Sequence, residues 1–168
     1  NEMTLLYHLS LTLTSGQNLY HVLRAFVKEL KQTMVVDAFH IGLYNETTDI
    51  FRYSLFLNLD QDLQIPPRKL KDVPSLTAEV IFGRKTLYLQ DITDPETRRQ
   101  YAIHIVVEAG MRSYVGIPLL LDERVIGLMS VQSTRVAAYT PDQIRLLETL
   151  AAQVAITIEK GSLLEQEQ

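Results

Sequence analysis

Two apolar runs, residues 113–121 and 125–133, are separated by only Asp122-Glu123-Arg124. No other feature constrains the fold so tightly. A three-residue polar link closes an antiparallel hairpin but is far too short for a parallel crossover, so the runs are the arms of a central hairpin. Residues 36–44 and 50–57 are rich in β-branched and aromatic side chains, and the polar turn 45–49 joins them into a second hairpin. Leu87-Tyr88-Leu89 reads as a short strand. Residues 58–74 are polar, contain Pro66, Pro67 and Pro74, and read as a long surface loop.

Helical periodicity fills the remainder. Leu5, Leu6, Leu9 and Leu13 make a stripe over 2–14 that Thr14-Ser15-Gly16 breaks. Ser15 or Asn18 then caps a second helix, whose Leu19, Val22, Leu23, Phe26, Val27 and Leu30 share one face, and which is expected to end near Met34. Ser75 caps a short helix over 76–82, with Gly83 as its C′ residue. Asp94-Pro95-Glu96 starts a helix expected to run through Tyr101, Ile105 and Val106 and to stop at Gly110. Thr140-Pro141-Asp142-Gln143 is an N-cap with Pro next and a reciprocal Gln, and the last helix follows. The order is α-α-β-β-(loop)-α-β-α-β-β-α. Such a chain is α+β, with a mostly antiparallel sheet and a helical layer from both chain ends on one face.

Composition excludes several function classes. With 16 Lys plus Arg against 20 Asp plus Glu, the net charge is −4, and no basic run exceeds Arg98-Arg99, so nucleic acid is not an expected partner. The 168 residues contain no cysteine, which removes disulfides, thiolate metal sites and Cys nucleophiles. No segment reaches the roughly 18 apolar residues of a membrane span, and no leader follows Asn1. The expectation is a cytoplasmic segment of a larger protein, without membrane contact of its own. There is no dinucleotide fingerprint, phosphate-binding loop or nucleophile elbow. His8, His21, His40 and His104 form no i, i+4 pair, so no zinc site and no catalytic residues are expected.

The segments Ser113-Tyr114-Val115-Gly116-Ile117-Pro118-Leu119, Ile126-Gly127-Leu128-Met129-Ser130-Val131-Gln132-Ser133, Tyr139-Thr140-Pro141-Asp142 and Leu147…Leu150-Ala151…Gln153-Val154-Ala155-Ile156 closely resemble the C-terminal signature of the GAF domain family. Val36-Asp37-Ala38 and Leu89-Gln90-Asp91-Ile92 agree with its layout. The resemblance spans nearly the whole chain and implies one GAF domain over 1–168, with terminal helices at 1–34, sheet and pocket at 35–139 and a signalling helix at 140–168. It implies a profilin-like, PAS-related fold: a six-stranded antiparallel sheet with helices on both faces. The N- and C-terminal helices pack together on one face, and a small-molecule pocket lies on the other. It further implies a non-catalytic sensory module of a signal-transduction protein such as a histidine kinase of a two-component system or a diguanylate cyclase. The NKFDE motif of cyclic-nucleotide-binding members is missing. Without cysteine the chain cannot hold a bilin by its own thioether, nor share the cysteine mechanism of GAF-type methionine sulfoxide reductases. The ligand remains unknown.

Strand alternation places Phe39, Ile41 and Leu43 toward the helix layer and Ala38, His40, Gly42 and Tyr44 on the opposite side. Tyr114, Gly116 and Pro118, with Ile126, Leu128, Ser130 and Gln132, fall on the side that the resemblance makes the pocket. Candidate ligand contacts are therefore His40, Tyr44, Asp91, Tyr114, Ser130 and Gln132. Each has an alternative structural reading. His40 and Gln132 satisfy internal hydrogen bonds, Tyr44 and Tyr114 fill core, and Asp91 caps its loop. His104 stands as a haem ligand or, more simply, a structural histidine. Arg98 and Arg99 pair with Glu96 or Glu108, or mark the entrance of an anionic ligand. In the last helix Ile144, Leu147, Ala151, Val154, Ala155 and Ile158 make one stripe, whereas Leu146, Leu150 and Leu164 lie off it. Together with Leu5 and Leu9, Leu146 and Leu150 are the expected contacts of a parallel homodimer that passes a signal to effector domains in the same parent chain.

Overall fold

The computed structural model describes His8, residues 18–101 and residues 110–167, with side chains through Glu159. The stripe of Leu5, Leu6, Leu9 and Leu13 lies outside the described residues, as do His104, Ile105, Val106 and Glu108 and the side chain of Leu164. The first described helix is α1, Leu19–Leu30. Asn18 caps it, its Oδ1 accepting from the His21 amide at 3.0 Å. The helix ends four residues before Met34, although i→i+3 bonds from Gln32 and Thr33 and a bond from Met34 to the Leu30 carbonyl continue the turn.

Strands β1 (Ala38–Asn45) and β2 (Ile50–Asn58) form the first hairpin. The proline-containing stretch read as loop carries two short strands, β3 (Gln61–Asp62) and β4 (Arg68–Lys69), both paired to β2. Leu70, directly after β4, is 1% exposed, so this segment dips into the core. Then follow α2 (Leu76–Gly83), β5 (Leu87–Leu89), α3 (Pro95–Gln100), β6 (Ser113–Leu121), β7 (Arg124–Ser133) and α4 (Pro141–Glu167). Ser75 caps α2, but the left-handed C-terminal residue is Arg84 at φ 59°, not Gly83, which is the last helical residue. Asp94 caps α3 with Pro95 at its start. The reciprocal cap of α4 forms as the sequence requires: Thr140 donates its amide to Gln143 Oε1 at 2.9 Å, and Gln143 donates its amide to Thr140 Oγ1 at 3.2 Å.

Six strands run in the order β3-β2-β1-β7-β6-β5, with β4 a seventh beside β2, and every pairing is antiparallel. The sheet separates two cores. On one face α1 and α4 bury Leu23, Phe26, Leu30, Leu147, Leu150 and Val154 against Phe39, Ile41, Val115, Ile117, Met129 and Val131. On the other, α2 and the segment after β4 bring Ala78, Val80, Ile81 and Leu70 onto Ala38, Tyr44, Phe51, Tyr114 and Leu128. Alternation thus holds as read, with one exception. Ile126 packs on the helix-side core, while its neighbour Val125 packs on the opposite side. The β6–β7 register shifts between Leu119 and Leu120, which leaves Ile126 as the extra residue of a bulge and reverses the parity beyond it.

Leu146 and Leu150 are 5% and 0% exposed and belong to the helix-side core. Their place off the main stripe is accounted for by burial within the domain's own core. This removes the argument that made them interface residues. The exposed large apolar side chain on the described part of α4 is Ile156, at 48%.

The strands at the centre approach so closely that Gly127 admits no side chain. A Cβ on Gly127 would stand 2.1 Å from the Gly42 carbonyl oxygen of β1, a contact with backbone that no side-chain rotation relieves. Gly127→Ala should therefore destabilise the fold by about 1–3 kcal/mol, read as a lowered midpoint in urea. Gly83→Ala, where a Cβ meets nothing within 4 Å, should leave the midpoint unchanged or raise it slightly. Equal loss in both variants contradicts the assignment of close approach to Gly127.

Candidate functional site

The face beneath α2 combines aromatic rings with polar groups that packing does not require. Register sets the rows. Ala38 faces Gln132, which faces Tyr114, and His40 faces Ser130, which faces Gly116. On the other side of β1, His40 faces Phe56 of β2, and the two rings stack with centroids 3.6 Å apart. Tyr53 closes this wall, edge-on to Phe56 at 4.9 Å and to Phe51 at 4.8 Å.

His40 is held from both nitrogens. Its Nε2 lies 2.7 Å from Asn58 Oδ1, and Gln132 Nε2 lies 3.4 Å from its Nδ1. One tautomer satisfies both: Nε2–H donates to Asn58, and Nδ1 accepts from Gln132. Burial among the rings disfavours the imidazolium and moves the pKa down from 6.5 to about 4, against the opposing bond to Asn58. His40 and Gln132, singled out from sequence, are thus brought together, and they partner each other.

Tyr44 and Tyr114 fill the two ends of the face. The Tyr44 hydroxyl donates to Asp49 Oδ1 at 2.7 Å, and its ring meets Phe82 edge-on. Burial together with this bond pushes its pKa up to about 12. Asp49 does more than receive that bond: its carboxylate also accepts from the amides of Leu70 and Lys71, at 3.1–3.2 Å, fastening the β1–β2 turn to the chain after β4. The Tyr44 bond leads the causes that lower its pKa. Tyr114 is buried, and burial raises its pKa. Its phenol lies across Gly116, where a Cβ would stand 2.5 Å from the Tyr114 oxygen. Ser130, 1% exposed, sits between His40 and Gly116 in the same row.

Asp91 stands apart from this group, between β5 and α3. It accepts from the Thr93 amide at 3.0 Å and hydroxyl at 2.6 Å, as a loop cap should. It also accepts a two-pronged contact from Arg112, Nε at 3.0 Å and Nη2 at 2.8 Å. Arg112 beside it holds its carboxyl well below the usual range. Arg99 pairs with Glu96 at 3.2 Å on the exposed side of α3.

Sequence reading missed the group that completes the polar face. Arg68 of β4 is half-buried, and its Nη2 donates to Thr77 Oγ1 at 2.8 Å and Tyr53 Oη at 3.2 Å. No composition signal marked it, since Leu59, Leu63, Ile65 and Val73 of the same stretch are exposed while Leu70 is buried. Shallow grooves lie elsewhere. One of about 350 Å³ is lined by Pro74, Ser75, Ala78, Glu79, Phe82, Gly83 and Tyr101. Another, about 400 Å³, follows Gln90, Asp91, Asp94 and Thr97. Among the described residues, no group of three or more His, Asp or Glu is placed to hold a metal ion. No helix among them is long and apolar enough to cross a membrane.

The family described as "GAF domain" matches residues 16–159. No curated protein sequence matches the chain. Among solved structures, the GAF domain of an Acinetobacter phosphoenolpyruvate-protein phosphotransferase is similar over 98% of this chain and 97% of its own, with a TM-score of 0.76 at 17% identity. Free methionine-R-sulfoxide reductase from Neisseria meningitidis, in complex with its substrate, is similar over 97% and 91%, with a TM-score of 0.76 at 16% identity. The GAF domain of a two-component sensor histidine kinase from Bacillus halodurans is similar over 88% and 98%, with a TM-score of 0.67 at 20% identity. At these identities the likeness is one of fold.

The His40 environment has a pH signature. The unfolded chain takes up its proton near pH 6.5, and the folded chain only near pH 4. The neutral imidazole therefore contributes its full stability above pH 6.5, and the contribution is lost as pH falls toward 4. Wild type should lose about 2 kcal/mol of unfolding free energy between pH 7 and pH 5. His40→Gln should lose much less over the same interval. Parallel pH profiles for the two proteins contradict a depressed His40.

Proposed function

Because the chain belongs to the GAF domain family, we propose that it is a non-catalytic regulatory module that binds a small molecule on the sheet face beneath α2. The observation that carries this reading is the polar set His40, Tyr53, Arg68, Thr77 and Gln132 inside an otherwise apolar layer. Buried polar groups cost free energy unless every one finds a partner, and apolar groups of the same shape would cover the sheet about as well without that demand. The same polar face on a scaffold that neighbours use in phosphotransferases and sensor kinases supports a sensing role. A cytoplasmic parent of the two-component kind, with its effector domains in the same chain, fits that role.

A specific observation also favours a second reading, a ligand-free dimerisation and relay domain. Tyr44 and Tyr114 occupy the ends of the face and are packed into its buried cluster. Helix α4, meanwhile, continues to Glu167 with Ile156 exposed. In a relay dimer this helix is the contact surface and Ile156 its described apolar anchor.

Two measurements separate the readings. Melting of the protein with nucleotides, amino acids, organic acids and tetrapyrroles should rise with one of them, since a ligand at a hundredfold its Kd adds about 2.7 kcal/mol. Sedimentation of wild type and Ile156→Glu reports on the relay surface. A melting temperature unmoved by any compound, with a wild-type dimer that Ile156→Glu dissociates, supports relay over sensing. A monomeric wild type that melts higher with a ligand supports sensing alone.

A further inference from the structure

The chemistry of one position narrows the class of ligand. We propose that Arg68 is the recognition cation for a small organic carboxylate, a deepening of the sensing reading above and dependent on it.

Arg68 is placed by the backbone rather than by chance. Its strand pairs with β2, setting Arg68 opposite Phe51, and two residues on, the Leu70 and Lys71 amides are fastened to Asp49. Its guanidinium stands over the Phe51 ring, 5.9 Å from the centroid. Nη2 is held by the hydroxyls of Thr77 and Tyr53. Both partners are neutral, and among the described residues Arg68 forms no ion pair. The contrast with Arg112 is direct: that guanidinium is paired with the Asp91 carboxylate through Nε and Nη2. Asp49, the acid fastened to the chain after β4, is occupied by Tyr44, Leu70 and Lys71.

The surroundings sharpen the charge imbalance. Thr77 lies in the first turn of α2, Leu76–Gly83, where backbone N–H groups point outward and the helix dipole is positive. A cation there is an unfavourable neighbour until an anion arrives. His40, which feels the Arg68 charge, stays neutral and adds no second positive group. With Nη2 held by the Thr77 and Tyr53 oxygens, a carboxylate would accept from the Nη1–H groups while the two hydroxyls turn their own protons toward it. A phosphate dianion calls for more positive charge than the site holds. Beside the site, Tyr53 and Phe56 are half-buried rings whose remaining exposed edges can meet the rest of the molecule. Arg68 is half-buried, so part of its side chain meets solvent.

The test compares phenylacetate, 4-hydroxyphenylacetate and indole-3-acetate with their neutral amides and with inorganic phosphate, on the wild-type protein, by titration calorimetry and by the Nε–H resonances of its arginines. The expected result is binding of at least one acid, at least tenfold weaker binding of its amide, weaker binding of phosphate, and movement of the Arg68 Nε–H signal. Arg68→Gln should lose tenfold or more in affinity and Arg68→Lys less, with Thr77→Val as a second variant should Arg68→Gln fail to fold. An acid that binds as well as its amide, or to Arg68→Gln as well as to wild type, overturns the carboxylate assignment and leaves the sensing reading standing. Binding confined to neutral compounds does the same. No binding of any acid, with the melting screen also silent, overturns both.

Discussion

The pairing of β1 with β7 is the contact on which the rest of the structure depends. It joins two hairpins, each local in sequence, into one sheet, and its register decides which side chains meet which core. A slip of one residue would carry Phe39, Ile41, Met129 and Val131 to the wrong face and bring His40, Ser130 and Gln132 under the helices. The pairing is locked at both ends. Asp37, at the start of β1, accepts from the Ser133 hydroxyl at 3.0 Å and the Thr134 amide at 2.9 Å, just past β7. At the other end, Gly127 lets the β7 backbone close on the Gly42 carbonyl.

Once the register is set, the two faces diverge in chemistry. The helix-side core of α1, α4 and the sheet is apolar and is the larger of the two buried clusters. Among the described residues, the opposite layer is covered by one eight-residue helix, a segment fastened through Asp49, and the chain around Ile92 and Met111. There the sheet presents a neutral histidine, a glutamine and a serine, and β4 adds a guanidinium. A frame carried by one face leaves the other free to hold costly polar groups, an arrangement suited to a module whose work is recognition. The same division explains why α4 is buried along two of its sides: Leu146 and Leu150 complete the frame.

Much of this was legible in the sequence because the signals were local. Asn18, Ser75, Asp94 and Thr140 each begin a helix by the same physical device, a side-chain oxygen receiving a free amide. Period-two alternation assigned His40 and Gln132 to one face, and their contact follows from a register that alternation also fixes. What was not legible depended on long-range contacts. The strands β3 and β4 are two residues each, too short for any period, and exist because β2 offers them an edge. Arg68 therefore looked like a loop residue. The bulge at Ile126 has no composition mark, so alternation misassigned that side chain. Arg112 and Asp91 are 21 residues apart in sequence, and only the fold brings them together.

The central claim is that the sheet divides a rigid apolar frame from a more labile polar layer. Native-state hydrogen exchange tests it most directly, because amides in cooperative units exchange with a common opening free energy. The account predicts the slowest exchange for β1, β6 and β7 together with the buried face of α1 and α4, at the free energy of global unfolding. The amides of α2 and of Leu70 and Lys71 should exchange through a smaller opening, at distinctly lower free energy. Equal protection across α2, β4 and the central strands would contradict the division, and so would slower exchange in α2 than in α1.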